Sequence, residues 1–284
     1  MRIVVYSDVG EFAQIAGPMY AADPVRHTVA LSVLDGLERA GEQAAALLTM
    51  HDPGEETGAG ACVGALLRSP ARPAIVSGVP VSCAAMAERA LADVDPTTAG
   101  VAGPVPEAEA CAAARAARSG EAVHVDMRMR LFSLDTLIEP DGVPGTARRG
   151  GEDDVDTIAE WRVSFSDEAN DGRRDERTPR EAVLRSLRLG FGELLWEVDG
   201  IAVAQATARR PAAGMSRIGP IYTTPEHRRR GFGAAVTAAA SRWALDAGAE
   251  RVLLFTDLAN PTANALYPRI GYRPVHDAVE LRFA

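Results

Sequence analysis

The stretch Arg228-Arg229-Arg230-Gly231-Phe232-Gly233 constrains this chain more than any other. It follows Ile218-Gly219-Pro220-Ile221-Tyr222-Thr223, an apolar run that predicts a short strand. It precedes an alanine-rich run over 234–247 that predicts a helix. A strand, a turn dense in arginine and glycine, and a helix start make a concavity suited to phosphate. The glycines let successive N–H groups turn into one space without a Cβ clash. The helix adds the positive end of its dipole, and the arginines add charge and forked donors. The pattern is neither G-x-x-x-x-G-K-[ST] nor G-x-G-x-x-G, so two well-known phosphate loops are set aside. An ordinary surface turn has the same local composition, and the following segment separates the two readings.

A second strand-length apolar run, Arg251-Val252-Leu253-Leu254-Phe255-Thr256, leads into Asp257-Leu258-Ala259-Asn260-Pro261-Thr262-Ala263-Asn264-Ala265-Leu266-Tyr267. Positions 216–283 resemble the second half of a Gcn5-related N-acetyltransferase (GNAT) domain. The family's R/Q-x-x-G-x-G/A matches as Arg228, Gly231 and Gly233. Its later N-x-x-[AS]-x-x-x-Y-x-x-x-G-[FY] matches as Asn260, Ala263, Tyr267, Gly271 and Tyr272. The two motifs stand in the family's order and at about its spacing.

The resemblance implies acetyl-CoA as cosubstrate, with its pyrophosphate cradled by Arg228, Arg229, Arg230, Gly231, Phe232 and Gly233. It implies that the backbone of Ile221, Tyr222 and Thr223 bonds the cofactor amides and polarises the thioester carbonyl. Tyr267 aligns with the tyrosine that protonates the departing sulfur. A phenol with its ordinary pKa near ~10 is protonated at neutral pH and can do this. The competing role for Tyr267 is packing on the last helix. Asn260 and Asn264 are expected at the cofactor, and Asn260, directly before Pro261, is equally placed to cap a helix.

The chain has 284 residues, enough for two domains of ordinary size. A net charge of −9 argues against nucleic acid as the main partner, so an arginine cluster inside it points to a small anionic ligand. Every basic residue is arginine, and lysine is absent. Cys62, Cys83 and Cys111 lack metal-ligand spacing, and an odd number suits a reducing compartment. With no membrane-length apolar run and no cleavage signature at the start, a cytoplasmic protein is expected, with no membrane partner.

The expected organisation is an N-terminal domain over 1–138, a linker over 139–152 rich in turn formers, and an acetyltransferase domain over 153–284. In the last of these, helical spacing runs over 153–169, and Thr178-Pro179-Arg180-Glu181 is a helix start. Strands over 192–198 and 201–208 meet at Asp199-Gly200, a hairpin signal. In the N-terminal half, 44–50, 61–67 and 73–76 read as strands, 81–92 as an amphipathic helix and 123–134 as a half-buried strand. That order mirrors the second half and places Val101-Ala102-Gly103-Pro104 where the phosphate turn falls, without its arginines and second glycine. The N-terminal half is therefore expected to be a degenerate GNAT-like domain, with an unrelated α/β domain as the alternative. The fold class is α/β (α+β): two GNAT-like domains, each a mixed, mostly antiparallel sheet flanked by helices.

The expected function is acetyl-CoA-dependent N-acetyl transfer to a primary amine, the acceptor being a small molecule or peptide. The alternative is a non-catalytic acyl-CoA-binding regulatory or interaction protein, and Gly219 leaves room for a longer acyl donor. No carboxylate lies on the strand over 215–220, so no general base is named. Glu193, Glu197 and Glu226 are expected to be solvated surface charges, and His227 to face solvent. Pairing through the last strand would make a homodimer.

Overall fold

The computed structural model describes residues 1–52, 60–169 and 177–284. They form two compact units, Met1–Met129 with His276–Ala284, and Arg130–Val275.

The first unit runs β1 (Arg2–Val5), α1 (Val9–Ala22), α2 (Thr28–Ala40), β2 (Ala46–His51), β3 (Cys62–Arg68), β4 (Ala74–Gly78), α3 (Ala84–Val94), β5 (Gly100–Pro104), α4 (Val105–Ser119) and the start of β6 (Val123–Leu134). Its sheet order is β1-β2-β3-β4-β5, completed by the end of β12 (Tyr272–Phe283), which lies antiparallel to β5 from Ala278↔Pro104 to Arg282↔Gly100. β4 and β5 pair in parallel, at Ala74↔Val101 and Ile75↔Ala102. The last nine residues, read from sequence with the C-terminal domain, thus group with this unit.

The second unit runs β7 (Thr146–Arg149), α5 (Val155–Glu168), α6 (Pro179–Arg188), β8 (Gly192–Val198), β9 (Ile201–Ala208), β10 (Met215–Thr223), α7 (Phe232–Asp246), β11 (Arg251–Asp257), α8 (Pro261–Leu266) and the start of β12. From the end of β6 its sheet order is β11-β10-β9-β8-β7, with β10 and β11 parallel. Each unit thus has one order, strand, two helices, three strands, helix, strand, helix, strand, and each sheet is mixed and mostly antiparallel.

That repeat relocates one expected feature. Val101–Pro104 belongs to β5, the counterpart of β11, and is not a strand-to-helix phosphate turn. The counterpart of the β10–α7 turn is the stretch from β4 to α3, Val79-Pro80-Val81-Ser82-Cys83, which has neither arginine nor glycine. The apolar content of 101–104, read without knowledge of β1, α1 and α2, shifted the match by one strand.

Local chemistry accounts for several elements of the second unit. Thr178 and Glu181 form a reciprocal capping box, satisfying two backbone donors at the start of α6. Asp199 and Gly200 have φ of +52° and +78°, the paired left-handed geometry of a two-residue hairpin between β8 and β9. One sheet face packs on α7 through Ala204, Ala206, Ala208, Ile218, Phe232, Val236 and Val252. The other packs on α5 and α6 through Val155, Ile158, Trp161, Val183, Leu195 and Tyr222. The stretch read as a linker carries β7, and its Val143 packs on the α7-side core while Trp196 Nε1 donates to Pro144 O at 2.9 Å.

Candidate active site

β10 pairs with β11 from Met215↔Arg251 to Ile218↔Leu254, and the register ends there. It stays paired with β9 through Ile221↔Ala206, Tyr222↔Gln205 and Thr223↔Ala204, past an irregularity that includes Gly219 at φ +141°. Among the described residues, 219–223 therefore have a strand on one side only. Of the expected backbone contacts, Ile221 and Thr223 are half-buried and Tyr222 is buried, its ring against Trp161 at 6.2 Å.

Beyond β10 a short 3-10 turn, Pro225–His227, leads into the arginine loop. Arg229 at φ +62° and Gly231 at φ +87° are both left-handed, which turns the chain sharply into α7. No side chain caps α7, so the N–H groups of its first turn are left for another acceptor. A Cβ on Gly231 would come within 2.9 Å of Val143 Cγ2, and one on Gly233 within 3.4 Å of Thr223 Oγ1. Glycine is thus required at 231 by backbone angle and by the chain's own packing.

The three arginines differ. Arg228 is already engaged: Nε donates to Thr223 O at 3.0 Å, and one terminal nitrogen donates to both Glu168 oxygens at 2.6 and 2.8 Å. Its guanidinium also lies over the Tyr222 ring at 5.6 Å. Glu168, the last residue of α5, raises the Arg228 pKa through that hydrogen bond. Arg230 lies over Phe232 at 5.1 Å. Arg229 and Arg230 are exposed and form no ion pair among the described residues, so their charges remain uncompensated at the start of α7.

Asn260 caps α8, its Oδ1 accepting from Ala263 N at 3.0 Å. Asn264 Nδ2 donates to Asp257 O at 2.8 Å and to Asn260 O at 2.7 Å, while its Oδ1 is sealed from solvent without a partner. Tyr267 begins the 3-10 turn Tyr267–Ile270 that follows α8 instead of lying on the helix. It is buried between Phe132 and Tyr272, with ring centroids at 6.0 and 6.1 Å. Burial pushes its pKa up to about 12, so the ordinary value expected from sequence does not apply.

The acidic residues also correct expectation. Glu193 is 1% exposed, not solvated. Its Oε1 accepts from Arg162 at 2.5 Å and from Ser186 Oγ, and its Oε2 from Thr207 Oγ1 at 2.8 Å. Glu197 accepts from Arg148 Nε at 2.5 Å, while Glu226 is exposed as expected. His227 is half-buried, with Nδ1 2.8 Å from Thr224 Oγ1. Sequence reasoning missed Gln205: it is 1% exposed on β9 opposite Tyr222, and both its amide atoms lack partners. Nothing in the alternation of β9 marks it, because its neighbours are alanine and threonine.

Residues 156–272 match the family model described as the acetyltransferase (GNAT) family. The chain is 30% identical over 155 residues to a mycothiol acetyltransferase of Arthrobacter sp. strain FB24, covering 51% of this chain and 48% of that relative. It thus spans about half the length of the curated relatives it matches. Among solved structures, a GNAT-family acetyltransferase from Colwellia psychrerythraea is similar over 100% of both chains, with TM-score 0.63 and 10% identity. A tandem GNAT protein from the clavulanic acid biosynthesis pathway is similar over 100% of this chain and 98% of its own, with TM-score 0.59 and 16% identity. At such identities these likenesses speak for the fold, and they cover both units.

Proposed function

We propose that the second unit, whose residues 156–272 match the acetyltransferase (GNAT) family model, transfers an acetyl group from acetyl-CoA to a primary amine. The observation that carries the reading is the departure of β10 from β11 after Ile218, ending in an arginine loop that delivers the chain to the uncapped start of α7. One-sided strand backbone suits a pantetheine chain of amides. A helix start with two uncompensated arginines suits pyrophosphate.

In this reading Phe232, Gly233 and the left-handed residues Arg229 and Gly231 hold the pyrophosphate, with Arg229 and Arg230 as its cations. Arg228 acts differently, holding Thr223 and the end of α5 in place. The backbone of Ile221, Tyr222 and Thr223 orients the pantetheine and polarises the thioester carbonyl. Asn264 acts through its Nδ2 bonds to Asp257 O and Asn260 O, which hold the loop before α8 against the cofactor, and Asn260 acts through its cap. Acetyl-CoA, when bound, supplies an activated acyl carbon and a thiolate leaving group. Tyr267 keeps its proton up to high pH and holds it as a hydrogen-bond donor toward the leaving sulfur.

The first unit, in the same reading, is a GNAT-like half without a cofactor site. Its β4–α3 stretch carries no cation and no left-handed glycine. The acceptor is a small molecule or peptide, and the name of the curated relatives makes an amine of the mycothiol type the first to assay. A cytoplasmic enzyme fits this chemistry. A non-catalytic acyl-CoA-binding protein is the second reading, favoured by a phenol that burial makes a weaker acid.

The test is a thermal melt with and without acetyl-CoA, on wild type and Gly231→Val. At about 100 times its Kd a ligand adds roughly 2.7 kcal/mol, a clear upward shift. The reading requires a shift in wild type and its loss in the variant. No shift in wild type would remove acetyl-CoA from the function.

A further inference from the structure

Arg217 lies on β10, next to Ile218, which packs on α7. Successive residues of a strand point to opposite faces, so Arg217 belongs to the face away from α7. Arg209 N donates to Arg217 O at 3.0 Å, placing the two arginines directly across the β9–β10 hairpin with side chains on one face. Like charges so opposed repel. The Arg209 guanidinium lies over the Phe191 ring at 5.3 Å. Arg217 makes no ion pair and no side-chain hydrogen bond among the described residues, and its Nη1 is sealed from solvent without a partner.

A guanidinium does not relieve such a position by losing its proton at any ordinary pH. Desolvation, then the Arg209 charge, lowers its proton affinity well below the usual range, which measures how poorly the bare site suits a cation. A half-buried guanidinium with one nitrogen sealed and unpartnered, opposite a like charge, is expensive, and a hydrophobic side chain would fill the same space without that cost. Among the described residues, the Arg217 guanidinium has no counter-anion. The planar fork matches the two oxygens of a carboxylate or phosphate.

We infer that Arg217, with Arg209 across the hairpin, anchors a binding site for a small carboxylate or phosphate group on the face of the second unit's sheet away from α7. The site is separate from the α7 start, so it stands or falls independently of the acetyl-CoA reading.

The test is a set of thermal melts in which acetate, or in a second arm inorganic phosphate, replaces chloride at constant ionic strength. Wild type is expected to show a saturable rise of a few degrees with one of the two anions, which identifies the group. Arg217→Met is expected to lose that rise, to melt no lower than wild type without added anion, and to keep its response to acetyl-CoA. An equal rise in the variant, or no rise above chloride in wild type with either anion, overturns the site. Should Arg217→Met not fold, diffraction from bromide-soaked wild-type crystals decides. An anomalous peak within hydrogen-bond reach of the Arg217 guanidinium supports the site, and its absence overturns it.

Discussion

Gly231 and Val143 are held together by what Gly231 lacks: a Cβ there would stand 2.9 Å from Val143 Cγ2, while the backbone sits at φ +87°. Two separable obstacles to substitution follow. Gly231→Ala is expected to cost about 1–2 kcal/mol through the left-handed backbone alone, plus a steric part. Adding Val143→Ala should return the steric part and leave the backbone part. Urea unfolding of both variants measures this, and full stability in Gly231→Ala would refute the loop geometry.

Tyr267 carries a prediction about pH. Its pKa is pushed up to about 12 by burial, against an ordinary value near ~10 in the unfolded chain. Between those values the unfolded chain gives up the proton while the folded protein keeps it. The unfolded state then binds fewer protons, so stability falls as pH rises, by roughly 1.4 kcal/mol per pH unit for this group. The contribution is intact below pH ~10. Tyr267→Phe should show a shallower alkaline loss than wild type in urea melts, and the difference isolates this residue from Tyr20 and Tyr272, which burial also raises. In turnover the variant should lose kcat with acetyl-CoA affinity retained. Equal loss of both would make the residue structural.

Much of the second unit was legible because its signals are local. Asp199-Gly200 marks a hairpin whose flanking strands have the bounds read from sequence, and Thr178-Pro179 marks a helix start through its own cap. The arginine loop could be read because glycine and positive φ go together. The first unit resisted for the same reason. α1 contains Gly10, Gly17 and Pro18, poor helix residues, and is held by the Asp8 cap and by burial of Val9, Phe12, Ala16 and Tyr20. Those are tertiary effects, and missing them shifted the repeat so that Val101–Pro104 was matched to the wrong turn. The fates of Glu193 and Arg228 were also out of reach, since their partners Arg162 and Glu168 are distant in sequence and come close only in the fold.

Glu193 ties α5, α6 and β9 together through Arg162, Ser186 and Thr207. Glu193→Ala leaves the Arg162 charge, 18% exposed at its side chain, without a counter-ion. The expected loss is about 3–5 kcal/mol. Arg162→Ala strands the carboxylate instead and should cost a similar amount. The double variant should lose clearly less than the sum, because the residues form one network. Additive losses in denaturant titrations would mean the pair is not coupled in solution.

Gln205 offers the opposite sign. It is 1% exposed, directly across from Tyr222, and neither amide atom has a partner. Each unsatisfied polar group costs about 1–3 kcal/mol once buried. Methionine has nearly the same length, no strong polar group and freedom to fit the space. Gln205→Met is therefore expected to raise stability, by about 1 kcal/mol or more. Acetyl-CoA affinity should not change, because the side chain is covered on the α5 side of the sheet. The measurement is the urea midpoint at constant m-value, which separates a stability change from a change in the exposed surface. A fall in the midpoint would refute the prediction, whether through loss of an ordered water partner or through misfit of the methionine.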